Sequence, residues 1–462
     1  MVPAPSAKES VMTDVHPDRD GDSVPQLQGL VSRPGDDGYA ATTAIWARQD
    51  GPRPHFVVHC RTARDVQAAI RAARERNLPL SVRGGGHDWA GRALCDGVVI
   101  DVSGMRSVTI DSDRQAAMIG GGARVSDITA LTDTRGLAVA AGSAGSVGMT
   151  GLTLGGGYGA LIGRFGLALD NVLDAQVVLA DGGIVCANAA CNKELFWALR
   201  GGGGNFGVVT AMRVRLHELA SVHSGMLVYP FAEARSVIEG CVALAGEMPD
   251  EFSMQIGIVG DHKDSFSVVA VPTWSGAPEQ GEQRLSPMSR LGSLLAGTIA
   301  PKSYGALLAT FDAFDVGGLR VVMDCCWLPA LGGSGIDTFV SAIKNAPSTG
   351  CAILTHDFRG AATRVPVDAT AFGLRREHVL IEVLAMLPAQ ASLRDVLLHS
   401  DWVRNTREAF RDALPGGYPN LLGRNEGKRA AMSFGPNAAR LMRAKRFYDP
   451  DNVFCSAIPL PE

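Results

Sequence analysis

Leu80-Ser81-Val82-Arg83-Gly84-Gly85-Gly86-His87-Asp88 is a strand-like run that empties into three consecutive glycines and a histidine. Backbone without Cβ atoms can close its N–H groups on a phosphate-bearing ligand. Arg83, ahead of the glycines, can neutralise that ligand's charge through paired hydrogen bonds. His87, behind them, ends beside whatever the loop cradles, with an imidazole nitrogen available for chemistry. Alone the motif is weak, because a glycine-rich turn followed by a chance histidine is common.

Outward from the loop, the chain reads as a βαβ-like unit. Phe56-Val57-Val58 suggests a strand, and Thr62 with Asp65 suggests a helix N-cap. Val66, Ala69, Ile70 and Ala73 recur at helical spacing behind that cap. Leu78 to Val82 and Val98 to Val102 complete the unit, and Ala116 to Gly122 and Ala175 to Leu179 read as further strands. From Val208 to Leu216, alternation puts Val208, Thr210, Met212, Val214 and Leu216 on one face. Past residue 219 glycine thins, and short strands (Phe266 to Val271, Arg320 to Met323, Val379 to Met386) alternate with helices.

The 462 residues suffice for two domains with sizeable cores. A net charge of −4 gives no basic footprint for nucleic acid or an anionic membrane. No apolar run reaches the roughly 18 residues of a membrane span. Residues 1–25 are expected to form a disordered tail; they lack the apolar core of a secretory signal, and Met12 offers an alternative start. Nine cysteines without C-x-x-C pairs read as free thiols of a cytoplasmic protein, with no metal site.

Several further motifs follow in order: Ala141-Gly142-Ser143-Ala144-Gly145-Ser146-Val147-Gly148, Gly155-Gly156-Gly157-Tyr158-Gly159 and Gly166-Leu167 through Asp170-Asn171. Leu195 to Gly207 and Tyr448 to Phe454 complete the set. Together with the loop at 82–88, they resemble the berberine-bridge-enzyme-like flavin oxidases of the vanillyl-alcohol-oxidase superfamily, and within them the bacterial hydroxynicotine-oxidase-like members. The likeness is dense from about residue 50 to 220 and sparse over the last 50. It implies an α+β, two-domain fold. An FAD-binding domain, residues 26–218 with 405–462, would carry a substrate domain, 219–404, built on an antiparallel sheet.

The resemblance also assigns residues. FAD would be held by Arg83, Gly84, Gly85, Gly86, His87 and Asp88, by Gly142, Ser143, Gly145, Ser146, Val147 and Gly148, and by Gly155, Gly207, Val208, Tyr418 and Asn420. His87 would bond covalently to the 8α-methyl of the flavin. Ala144 stands where many members carry a cysteine that forms a second bond, so a single link is expected. Val147 stands where the family gates oxygen, and valine there favours access by O2. Trp89 and Leu152 would wall the substrate pocket, with core packing an equal reading for Trp89. The end Phe454-Cys455-Ser456-Ala457-Ile458-Pro459 is shorter than the family's, which bears on its contact with the flavin.

Two groups could take a proton. Glu382 shares a strand face with Leu380 and Leu384, where a carboxylate is costly to desolvate without a task or a partner. It also matches the family's base-bearing position, although a solvent-facing glutamate paired with Arg375 or Arg376 would show the same pattern. Tyr158 matches an active-site tyrosine that could bind a substrate hydroxyl, assist as phenolate, or only pack over the flavin.

Gly155 to Ala160 also satisfies a dinucleotide fingerprint, but no apolar strand precedes it and Gly159, Gly163 and Gly166 spoil the helix that should follow. The expected activity is therefore oxidation of a small, secondary-metabolism substrate with O2 reduced to H2O2, by a monomer or homodimer. A dehydrogenase with another acceptor would release no H2O2. A flavoprotein that sequesters an aromatic drug would bind it without bleaching the flavin.

Overall fold

A computed structural model describes residues 31–48, 50–260, 265–312 and 317–461, so the tail expected over residues 1–25 lies outside the described residues. Phe56–His59 runs parallel to Val98–Asp101, which pairs in parallel with Leu80–Arg83. The helix Ala63–Glu75 makes the crossover and begins at the expected cap. There Thr62 Oγ1 accepts from the Asp65 amide (3.3 Å), and Asp65 Oδ2 accepts from the Thr62 amide (2.8 Å). Its stripe of Val66, Ala69, Ile70 and Ala73 is buried.

A second, antiparallel sheet centres on Val208–Glu218, flanked by Ala116–Gly120 and Val172–Val178. Thr210, Met212, Val214 and Leu216 are buried in alternation, but a register shift between Val209 and Ala211 breaks the expected pattern, and Val208 packs in a different core from Met212, Val214 and Leu216.

The third sheet has eight strands and is antiparallel. Its central strands are Phe252–Gly260, Phe266–Trp274, Arg320–Leu328, Cys351–Phe358 and His378–Leu387. Ile256, Ile353, Ile381 and Val383 point to the back face. There the helices Ala234–Gly246, Gly333–Lys344 and Leu393–Ala409 cover them with Val237, Phe339, Ile343, Trp402 and Val403. The intervening residues face the other two sheets. This is the expected α+β arrangement.

The helix Leu393–Ala409 straddles the boundary expected between residues 404 and 405. Trp402 and Val403 belong to the core behind the third sheet, together with Phe410, so the element cannot be divided there. We place the return to the first domain after this helix. Among the described residues, no helix is long and apolar enough to cross a membrane.

One buried ion pair ties the two parts together. Both guanidinium nitrogens of Arg375, which precedes His378–Leu387, donate to the carboxylate of Asp170 at 2.9 Å. The two side chains are 5% and 9% exposed. Removing one partner of such a pair leaves an uncompensated buried charge, at about 3–5 kcal/mol. Asp170→Ala should therefore lower unfolding stability by about that much, read as a fall in urea midpoint; a loss below ~1 kcal/mol would show that Arg375 finds another partner.

Candidate active site

Where the loop 84–88 meets the loop 142–148, the two backbones touch. A Cβ on Gly85 would lie 2.5 Å from the Gly148 N and Cα atoms, so no side chain fits there. Beside this contact runs a cavity of about 500 Å³. One wall is loop backbone: Gly84, Gly85, Gly86, His87 and Asp88, then Gly142, Ser143, Ser146, Val147 and Gly148, with Gly207 and Val208 beyond. The facing wall is the front of the eight-stranded sheet. Tyr418, Asn420, Leu421 and the segment Phe454, Ser456, Ala457, Ile458 close it further. The shortened C-terminal end thus still reaches the cavity. Ser456 Oγ donates to the Arg92 carbonyl at 2.7 Å, across 364 positions of sequence.

Three residues expected to hold the cofactor do other work. Arg83 is turned away from the cavity: its Nη1 donates to both oxygens of Asp101 at 3.2 Å and its Nη2 to the Ala44 carbonyl. The parallel register puts Arg83 beside Asp101, and that carboxylate, 4% exposed, requires a cation. Gly145 lies behind the loop against Asp312. Gly155 makes room for Asn420, whose Nδ2 donates to the Leu152 carbonyl (3.0 Å) and to Tyr418 Oη (2.9 Å). The cation that does line the cavity is Arg92, held by Asp88 and by the Asn420 carbonyl.

His87 faces the cavity with its ring stacked on Trp46, centroids 4.5 Å apart and planes 18° apart. The Trp46 amide donates to the Gly86 carbonyl at 2.8 Å, fixing the tryptophan to the glycine turn. Asp88 accepts from the Ala90 and Ala93 amides and so holds the chain leaving that turn. Trp89 and Leu152 both line the cavity, as does Ala144.

Glu382 also lines the cavity, on the front of the sheet between Cys325 and Leu354. Its partner is not Arg375, which Asp170 occupies, but His356, whose Nε2 lies 3.1 Å from Glu382 Oε1. Ser143 Oγ stands 3.5 Å from His356 Nδ1, and the Gln255 amide 3.4 Å from Nε2. His356 carried no signal in the sequence: it is a lone histidine in a strand, 26 positions from the carboxylate it meets.

Tyr158 is buried among aromatic rings, with its hydroxyl 2.7 Å from His378 Nε2. His378 Nδ1 lies 2.7 Å from the Arg376 carbonyl, which can only accept. Nδ1 therefore carries the proton and Nε2 accepts from Tyr158. Burial, reinforced by the neighbouring Tyr418, pushes the Tyr158 phenol well above its ordinary pKa. Both facts oppose a phenolate role for Tyr158. Tyr418 is pushed up in the same way, and its oxygen accepts from the Gly157 amide at 2.8 Å.

The residues present fit a flavin dinucleotide. The cavity is long and walled by glycine backbone, and the Thr150 hydroxyl in it is buried without a protein partner. Among the described residues no cluster of His, Cys, Asp or Glu could hold a metal.

Known proteins agree with this geometry. Residues 54–188 match the FAD binding domain family, and residues 417–461 match the berberine and berberine-like family. (R)-6-hydroxynicotine oxidase of Paenarthrobacter nicotinovorans is 30% identical over 93% of this chain and 95% of its own length. The crystal structure of 6-hydroxy-D-nicotine oxidase from Arthrobacter nicotinovorans superposes with a TM-score of 0.83 at 28% identity, covering 93% of this chain and 97% of that one. A chitooligosaccharide oxidase shares the fold at a TM-score of 0.80 and 23% identity, over 95% and 98% of the two chains.

Burial lowers the pKa of His378 from 6.5 to about 3. Below pH 6.5 the unfolded chain takes up a proton that the folded protein refuses. The stability is thus fully present above pH 6.5 and is lost progressively as pH falls toward 3, by up to ~1.4 kcal/mol per pH unit. His378→Gln keeps an acceptor but does not titrate. Its urea midpoint should fall less than the wild type's between pH 6.5 and 4; equal slopes would assign the loss to other groups.

Proposed function

Because the chain belongs to the FAD-linked oxidoreductases of the berberine and berberine-like family, we propose that it is an oxidase of a small organic metabolite, with Glu382 as its base. The observation that carries this reading is the position of Glu382. It is a carboxylate at the polar end of a largely apolar sheet face, held by His356 and set across the cavity from the glycine loops. When bound, FAD would supply the two-electron redox chemistry that couples substrate oxidation to reduction of O2 to H2O2.

The protein's own residues do the rest. Glu382 accepts the acidic proton of the substrate. The His356 imidazole, 3.1 Å from Glu382, fixes the direction of the carboxylate, and Ser143 stands at the other nitrogen of the ring. Tyr158, committed to His378, stays neutral and shapes the wall. Val147, a small side chain on the loop wall, supports access by O2. His87 carries the covalent link, and Ala144, also in the wall, offers no atom for a second.

Two experiments test the reading. Glu382→Gln preserves size but removes the proton acceptor, so anaerobic flavin reduction should slow by ~10²–10⁴-fold with flavin content intact. A rate within about threefold of wild type would remove Glu382 from the reaction. For the link, acid precipitation should leave yellow protein, and His87→Ala should release the flavin to the supernatant; free flavin from the wild type would overturn it.

A further inference from the structure

The front of the eight-stranded sheet is sharply divided in polarity. Register places Val269, Gly257, Leu354 and Glu382 side by side in one row across four strands. The next row holds Ala352, Leu384 and Met323. Val259 and Met386 extend the apolar floor beyond them, all lining the cavity. Among the described residues, polar side chains enter the cavity from this face only at one end, where Gln255, His356 and Glu382 meet.

We propose that the substrate is a largely apolar ring compound carrying a single O–H or N–H donor at the carbon to be oxidised, and not a sugar. This rests on the oxidase reading above for the role of Glu382. The floor of Val259, Val269, Met323, Leu354, Leu384 and Met386 offers dispersion and burial but no hydrogen bond. A saccharide laid on it would leave hydroxyls desolvated and unpaired, each costing roughly tenfold or more in affinity. A ring system loses nothing there. Its one donor reaches Glu382, whose carboxylate is held in place by His356 at 3.1 Å.

The test uses the flavin-loaded protein under anaerobic conditions, with 2-naphthylmethanol, 2-naphthylmethylamine and cellobiose as probes. Perturbation of the flavin absorbance reports binding, and bleaching reports turnover. At least one naphthyl probe should bind ~100-fold more tightly than cellobiose, and the alcohol and amine arms decide which donor is preferred. Leu354→Asn, which puts an amide into the floor, should weaken naphthyl binding by ~10-fold with flavin content unchanged. Comparable or tighter binding of cellobiose, or no naphthyl binding below millimolar, would overturn the proposal. Naphthyl binding without bleaching would leave the substrate class standing and count against the oxidase reading. Bleaching by cellobiose alone would do the reverse.

Discussion

The contact between Gly85 and Gly148 is the constraint on which the site depends. Two loops from different sheets meet backbone to backbone, and a single methyl group at either position would push them apart. Because they meet there, their remaining N–H groups and small side chains form a continuous wall. His87 and Val147 come to flank the same cavity from loops far apart in sequence. A glycine-rich composition in this half of the chain therefore marks a packing requirement more than flexibility. The interior is close-packed, and the cavity persists only because the glycines let backbone stand where side chains otherwise would.

The opposite wall follows from a different rule. Strand alternation sends Ile353, Ile381 and Val383 to the helices behind the sheet and leaves Leu354, Glu382 and Leu384 facing the loops. Glu382 would be costly on such a face alone. Its contact with His356, at 3.1 Å, gives the buried carboxylate a polar neighbour and fixes its direction. Arg375, which might have served as partner, is drawn away by Asp170 and spent on joining the two domains.

Local signals were legible in the sequence and long-range pairings were not. The Thr62–Asp65 cap and the alternation from Thr210 to Leu216 depend on neighbours three or two positions away, and both are seen in the structure; the bulge that sends Val208 to another core left no local signal. The glycine loops could be placed against a common ligand because a resemblance ordered them. Arg83 was misread, since nothing local says that a parallel register will set it beside Asp101. Trp46 and His356 escaped for the same reason: each meets its partner, His87 across two loops or Glu382 on the neighbouring strand, through long-range packing that leaves no trace in spacing. The boundary expected at 405 falls inside the helix Leu393–Ala409, whose buried face belongs to one core, and local composition gives no sign of that core.

The hydrogen bond from Ser456 to Arg92 bears on how the protein is made. The sheet and back helices of the second domain occupy one uninterrupted stretch of chain and can condense while synthesis continues. The cavity cannot, because its wall includes residues from Trp46 to Ile458. Until the last of these emerges, the glycine loops stand open on the side that Phe454–Ile458 will cover. A nascent chain thus passes through a stage in which one domain is complete and the cofactor's bed is exposed. A dinucleotide could then meet the glycine loops before the C-terminal segment covers them. Closing the C-terminal segment over it would then make cofactor capture the last step of folding, with the affinity for FAD drawn from the same contacts that complete the first domain.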